Sequence, residues 1–486
     1  MQKKSTFIFN YLLPRIQDTI FVALFIAVFL HGPSLLNEDG DLGRHITIGD
    51  YVRNSWTVPT QDIFSHTMTG QRLVPHEWLA QVALSFFHSF AGLTGVVLLI
   101  AVLLAATFAL TYQEMVKRNV FRILALFLAL LAAYASSLHW LARPHIFTLL
   151  FTAIWAYQLA NEKSSVWLFP FLMWIWANTH GAFIVGFVIW AAHTAGWLWE
   201  YLHGQSTKEI GARLGLIGAA SFAVTFFNPA GWHLWGTSVG YFGSQFLIDR
   251  TVEYQSPNFH SWSTWPFLAM LAFGILVFSA RGRLRPYESI LFAGFTAMSL
   301  YSARNIPLFA IITAPYLGGA LQATMEDLPV LQRLEQNVAK IENSLKGILW
   351  PLLAILVITI SVYMQPNPAN RFDPNKFPVK AADWVKVHPQ KGNMFNYFTW
   401  GGYILYRLWP QETVFIDGQT DFYGEALTRE YAQVMYLYEG WETVLTKYDI
   451  AWVIVPSNQP LVKALQDGLN WVTVYHDDTA TILHKP

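Results

Sequence analysis

The chain has 486 residues and no cysteine, which excludes a disulfide framework, a thiol nucleophile and any Cys-ligated metal. Charge is also scarce. Only 13% of residues are Asp, Glu, Lys or Arg, against about 25% in soluble globular proteins. The 31 basic and 31 acidic side chains cancel to a formal net charge of zero, so no whole-molecule field draws the chain to nucleic acid. A phosphate-binding glycine motif, a catalytic-triad signature and a His-x-x-x-His pair are all missing. What is present is 54% apolar and 16% aromatic residues, with 21 Trp, 36 Phe and 21 Tyr. That composition suits a chain whose main solvent is lipid.

Long apolar runs lie at about 17–33, 93–115, 121–138, 146–161, 165–178, 181–202, 211–228, 263–280, 287–302, 305–322 and 347–364. Crossing the hydrocarbon core takes about 20 helical residues, and the run at 165–178 is short. The first run lacks a small-residue cleavage site and reads as a retained span. Between His76 and Phe90, Trp78, Leu79, Val82, Ala83, Phe86, Phe87 and Phe90 share one helical face, with Glu77, Gln81, Ser85 and His88 opposite. This pattern predicts a helix lying in the membrane interface.

Basic residues then set the orientation. If 76–90 does not cross, Lys3, Lys4, Arg15, Lys117, Arg118, Arg122, Lys163, Lys208, Arg213, Arg281, Arg283, Arg285, Arg333, Lys340 and Lys346 fall on the N-terminal side. Only Arg44, Arg53, Arg72, Arg143, Arg250 and Arg304 fall on the other. The positive-inside rule therefore predicts eleven spans with a cytoplasmic N-terminus. The expected fold class is mainly α: a polytopic helical bundle over 1–364 with a first outer loop at 34–92. A small extracytoplasmic α/β domain follows at 365–486.

This topology gathers the unusual polar motifs outside. They are Asn37-Glu38-Asp39-Gly40-Asp41 with Arg44 and His45, His76-Glu77-Trp78, His139 to His145, and Asn178-Thr179-His180-Gly181. Asn228-Pro229-Ala230-Gly231, Glu253 to His260 and Ser302-Ala303-Arg304-Asn305 complete the set. The span interiors carry few charges, with His193 the main ionisable group, which offers little to an ion-coupled transporter.

Carboxylates in the first outer loop suit a general base for an incoming hydroxyl or amine, or a divalent cation. Equally, Asp41 suits the cap of a helix at 42–54 whose Ile46, Ile48, Tyr51 and Val52 rest on the bilayer. Arg143, before a proline at a span end, is either a fork donor to a lipid phosphate or a snorkelling headgroup neighbour. Outer arginines without lysine in the membrane part favour phosphate recognition, with Arg304 as the second candidate. Scattered outer histidines (His45, His76, His139, His145, His180, His233, His260) compose no zinc motif. The Trp-rich stretches read as interfacial belts.

In the tail, Pro366, Pro368, Pro374 and Pro378 mark an extended linker. Strands are expected at 413–417, 451–455, 471–475 and 480–484, and helices at 379–387, 425–438, 441–447 and 460–468. Segments 396–403 and 417–424 read as aromatic-rich loops that either grip carbohydrate or dock the tail on the membrane part.

The order of these features resembles the membrane-embedded glycosyltransferases of the C superfamily (GT-C), nearest to bacterial relatives of the protein O-mannosyltransferase and aminoarabinose transferase type. The likeness covers about residues 15–320: a first span, an acidic outer loop holding Asp39 and Asp41, then Val74-Pro75-His76-Glu77-Trp78 and Ala142-Arg143-Pro144-His145. The string Asp41, His45, Pro59, Asp62, Phe64-Ser65 and His76-Glu77-Trp78-Leu79 is similar to a poorly characterised bacterial branch. The resemblance implies transfer of a sugar from a polyprenyl-phosphate carrier to a glycolipid, polysaccharide or protein acceptor, by inverting displacement at the outer face of the bacterial inner membrane. On this reading Asp41 is the base and Asp39 its substitute, while Arg143 and Arg304 clamp the carrier phosphate. His145, His76, Glu77 and His45 line the substrate site, and a divalent cation would sit on Asp39, Asp41 and His76. His145 stands where better-known relatives often carry an acid, so either histidine takes over its positioning or metal-ligating task or the activity is altered or lost. Two alternatives use other chemistry: a non-catalytic scaffold on the same fold, and a lipid flippase or transporter.

Overall fold

The computed structural model describes residues 10–486 apart from 162, 241–251, 281–283, 326 and 366–367. Lys3, Lys4, Arg250, Arg281, Arg283 and Pro366, on which the orientation and linker expectations partly rest, lie outside the described residues.

Each of the eleven apolar runs holds a helix. By length and composition, six among the described residues can cross a bilayer: Asn10–Leu30, Trp78–Lys117, Arg122–His139, Gly181–Leu202, Trp262–Ser279 and Ala303–Met325. Leu349–Met364 joins Pro329–Ser344 across a 63° bend, giving up to seven. His145–Leu159, Leu168–Thr179, Lys208–Val224 and Pro286–Tyr301 are shorter apolar helices of 15, 12, 17 and 16 residues. At about 1.5 Å per residue these fall short of a hydrocarbon core about 30 Å thick. Length therefore supports fewer complete spans than hydropathy alone.

The helix Trp78–Lys117 is broken at Ala91 and Gly92, where Gly92 takes φ 59° and ψ −149°. A side chain is strongly disfavoured there, and glycine lets the chain turn. The break separates an amphipathic segment ending at Phe90 from the buried apolar segment that follows, matching the division the periodicity predicts. Phe86 and Phe90 on the first segment are exposed.

The helix Leu42–Ser55 departs from expectation. Ile46, Ile48 and Val52 are buried inside the protein rather than resting on lipid. Tyr51 packs edge-on against Phe64 and Trp409. The cover is the helix Trp78–Lys117, where a Cβ on Gly49 would lie 2.1 Å from the Gln81 carbonyl oxygen, together with the tail. Its helix Gly401–Leu408 crosses Leu42–Ser55 so closely that a Cβ on Gly402 would lie 2.3 Å from the carbonyl oxygen of Gly40, and one on Gly43 2.3 Å from that of Gly402. Only paired glycines permit this approach.

The tail holds a four-stranded sheet in the order β1-β2-β4-β3: β1 (Asn393–Asn396), β2 (Ile450–Pro456), β3 (Val472–His476) and β4 (Ala480–His484). β1 and β2 are parallel, while β4 runs antiparallel to β2 and β3. Both faces of the central strands are covered, as alternation requires. Trp452, Ile454 and Ile482 join the core shared with the membrane helices. Val453, Val455 and Leu483 join a second core with Phe395, Phe415, Leu461 and Leu465.

Three tail expectations change. The segment 413–417 forms no ladder, and Val414 makes a single bridge to Ser65 of the first loop. The missing strand is 393–396, whose Asn-Met-Phe-Asn has no β-branched residue to announce it. The supposed loops are largely helical: Phe398–Trp400 and Gly401–Leu408 from the first, and Thr420–Met435 entering the second.

Candidate active site

Arg143 organises the acidic first loop. Ala142 N–H donates to the Leu35 carbonyl at 2.9 Å, fixing the Arg143 backbone beside the helix end that leads to Asp39. Asp39 Oδ1 accepts from Asp41 N–H at 2.9 Å, an Asx turn that aims both carboxyl groups the same way. The guanidinium then forks between them: Nη1 is 3.2 Å from Asp39 Oδ2 and Nη2 is 2.8 Å from Asp41 Oδ2. Asp41 occupies the N-cap position of Leu42–Ser55, yet its side chain makes no capping bond. Its other oxygen, Oδ1, faces Gly418 of the tail, where a Cβ would lie 1.6 Å away.

Electrostatics follow from burial and this fork. Burial raises Asp39 to about 6, with Arg143 opposing and the neighbouring Asp41 and Glu253 carboxylates assisting. Burial also works against the Arg143 charge, but Asp41, Asp39 and Glu253 hold its pKa well above the ordinary value.

A third carboxylate comes from a distant segment. Glu253 Oε2 is 3.7 Å from Arg143 Nη1, and Glu253 Oε1 is 4.0 Å from Arg304 Nη1. Arg304 also lies over the Tyr254 ring at 4.5 Å. Burial disfavours ionised Glu253, yet Arg143 and Arg304 bring its pKa below the ordinary value. The sequence reading assigned Glu253 no role. Its one signal is rarity: Asp249 and Glu253 are the only acids in the outer loops between the first loop and the tail. His145 Nε2–H donates to the His139 carbonyl at 2.9 Å. The two rings lie 4.5 Å apart. His145 thus braces its own turn, and Glu253 is the carboxylate from outside the first loop that lies beside Arg143.

A second cluster surrounds Glu77. Its carboxylate lies 3.9 Å from Arg44, 3.7 Å from His45, 4.0 Å from His76 and 3.8 Å from His180. His180 Nδ1 accepts from Ala182 N–H and from the Thr148 hydroxyl, so its Nε2–H points at Glu77. His76 Nδ1–H donates to the Val74 carbonyl at 3.1 Å. His45 is fully buried, and burial first, then Arg44 and Arg143, holds its pKa well below the ordinary value. Its Nε2 has no hydrogen-bond partner among the described residues.

Arg44 ties this cluster to the tail. Its Nη1 donates to Gln419 Oε1 at 2.9 Å, and its Nε lies 3.7 Å from Asp417 Oδ1. Burial raises Asp417 to about 6 against the pull of Arg44. The sequence placed Arg44 among the outer polar motifs and 417–424 in a loop that grips carbohydrate or docks the tail, but gave Arg44, Asp417, Gly418 and Gln419 no role in this site. Glu77 adds to the field that holds Arg143 charged, and Arg143 to the one that keeps His45 neutral. The two clusters form one electrostatic unit.

For the expected divalent cation, the arrangement is a poor fit. Arg143 already neutralises Asp39 and Asp41, and His76 turns to Val74 and Glu77. Among the described residues, no three His, Asp or Glu side chains are placed to hold a metal ion.

Neither a family model nor a curated protein matches the sequence. Solved structures do match. The apo oligosaccharyltransferase of Archaeoglobus fulgidus superposes with a TM-score of 0.61 at 12% identity, over 90% of this chain and 69% of that one. The archaeal oligosaccharyltransferase AglB of A. fulgidus, in complex with an inhibitory peptide and a dolichol-phosphate, gives 0.58 at 11% identity and the same coverage. The A. fulgidus enzyme tethered to an acceptor peptide gives 0.55 at 12%. The chain has the fold of these oligosaccharyltransferase structures. It is an integral membrane protein, mainly helical, with a small C-terminal sheet. Within this fold, the structure brings Asp39, Asp41, Arg143 and Arg304 together around Glu253, and Arg44, His45 and His76 around Glu77. His145 packs at the edge of the first group.

Proposed function

We propose that this chain is a glycosyltransferase moving a sugar from a polyprenyl-phosphate carrier to an extracytoplasmic acceptor at the bacterial inner membrane. Its N-terminus would be cytoplasmic, with residues 1–364 forming the membrane domain and 365–486 the outer one. The observation that carries the proposal is the fork: Arg143 holds Asp41 by Oδ2 and leaves Oδ1 without a hydrogen bond from the described residues. That oxygen is suited to receive the acceptor proton. Displacement then runs in one step. The acceptor oxygen or nitrogen bonds to the anomeric carbon as its proton passes to Asp41 Oδ1. The bond from that carbon to the phosphate oxygen breaks, with inversion, and the carrier phosphate keeps the electron pair.

Charge developing on the departing phosphate needs a cation not already saturated. Arg143 faces three carboxylates. Arg304 has one at 4.0 Å and a ring face, so Arg304 is assigned the phosphate and Arg143 the task of orienting Asp39 and Asp41. The Glu77 cluster supports the walls. A dolichol-phosphate in one structure of the same fold adds support for a lipid-phosphate carrier. No step runs through a metal. The test is turnover of labelled polyprenyl-phosphate sugars by the purified protein: Asp41→Asn should lower transfer by at least about a hundredfold, and full turnover by that variant would overturn the assignment.

A further inference from the structure

The motif Asn228-Pro229-Ala230-Gly231 takes no part in the chemistry above. Its Asn228 side chain accepts from Ala230 N–H at 2.7 Å and donates to the Thr225 and Gly231 carbonyls, which makes a fixed turn. That turn is one wall of a cavity of about 320 Å³, whose other walls include Thr60, Gln61, Arg72 and Val74, with His233 beside the turn. This volume lies at the small end of ligand sites. The cavity adjoins the Glu77 cluster, since the Val74 carbonyl accepts from both the backbone N–H and the Nδ1–H of His76.

Arg72 sets the cavity's chemistry. Arg44, Arg53, Arg143 and Arg304 each face a carboxylate, whereas among the described residues none pairs with Arg72. Its contact is His233, whose Nε2 accepts from Arg72 Nη1. The remaining N–H groups of a planar fork are therefore directed to a ligand or to water. The ring of Trp232, the chain neighbour of His233, lies tilted at 32° to the imidazole with centroids 3.9 Å apart, and Trp232 is 67% exposed. Guanidinium, hydroxyl and amide donors next to an exposed aromatic face match an acidic saccharide: an oxyanion for the fork and a sugar face for the indole.

We propose that Arg72, with His233, Thr60 and Gln61, forms a subsite for the carboxylate or phosphate of a negatively charged saccharide acceptor. The acceptor role rests on the glycosyl-transfer reading, but oxyanion binding does not. Full-length protein in detergent micelles, titrated calorimetrically with glucuronate, inorganic phosphate and glucose, tests it. Glucuronate or phosphate should bind more tightly than glucose, and Arg72→Gln should weaken the preferred anion by at least about tenfold. Preference for glucuronate identifies a uronic-acid acceptor, and preference for phosphate a phosphorylated one. Ala230→Trp, which fills the cavity, should weaken both, with an unchanged melting temperature reporting an intact fold. Equal binding of glucose and glucuronate, no anion binding by the wild type, or unaltered affinity in Arg72→Gln overturns the subsite. Asp41→Asn should bind the anion normally, so loss of transfer and loss of the subsite are read separately.

Discussion

Arg143 Nη2 stands 2.8 Å from Asp41 Oδ2, and this one pair fixes which oxygen of Asp41 is engaged by the guanidinium and which is turned toward Gly418. Asp41→Asn should lower sugar transfer by roughly a hundred- to ten-thousand-fold, the range of a lost general base. Carrier binding should be kept, as checked by single-turnover assay with labelled carrier.

Arg143→Lys should not rescue Arg143→Ala. An ammonium group cannot bridge Asp39 and Asp41 as a planar fork does. Transfer by both variants should fall by at least about tenfold, and near-wild-type rates for the lysine variant would argue against the fork.

Asp39 supplies a pH signature. Its folded pKa is raised to about 6, so between about pH 4 and pH 6 the native state holds more protons than the unfolded chain. Its contribution to stability is therefore greatest at the acidic end and declines as pH rises through 6. Asp39→Asn lacks this slope and should gain in melting temperature relative to wild type between pH 5 and pH 7.5. Comparing the two proteins cancels Asp417, which burial also raises to about 6.

Gly418→Ala tests the tail's approach to the base. Its methyl group would fall 1.6 Å from Asp41 Oδ1, so one of the two must move. Transfer should be lost while the protein remains folded by near-ultraviolet circular dichroism. A fully active alanine variant would show that Oδ1 is not the working oxygen.

Removing residues 371–486 should unfold the membrane part as well as silence it. The truncation strips Gln419 and Asp417 from buried Arg44 and takes the Asp373 N–H and the Arg371 carbonyl from Asn37. Buried polar groups left unpaired cost about 1–3 kcal/mol each. Protease sensitivity of the truncated protein in micelles provides the check, and a resistant bundle would mean that the two parts fold separately.

Much of this was legible in the sequence where the signal is local. Apolar runs located the helices because helical periodicity is written in neighbouring residues. Asp39, Asp41 and Arg143 were found because each sits in a compact polar motif at a helix end. Glu253, Arg44, Asp417 and Gly418 were missed as site components because their meaning lies in pairing across long stretches of chain, which no periodicity encodes. The face of Leu42–Ser55 was assigned to lipid for the same reason. An apolar stripe reads identically whether lipid or the helix Gly401–Leu408 covers it.

The meeting of Gly418 with Asp41 also bears on biogenesis. A ribosome releases Asp41 and Arg143 long before it has made Asp417, Gly418 and Gln419. The proposed site therefore cannot be complete on a half-synthesised chain. Its last wall arrives with Asp417, Gly418 and Gln419, and a nascent chain carries the two carboxylates and the arginine between them before that wall is made.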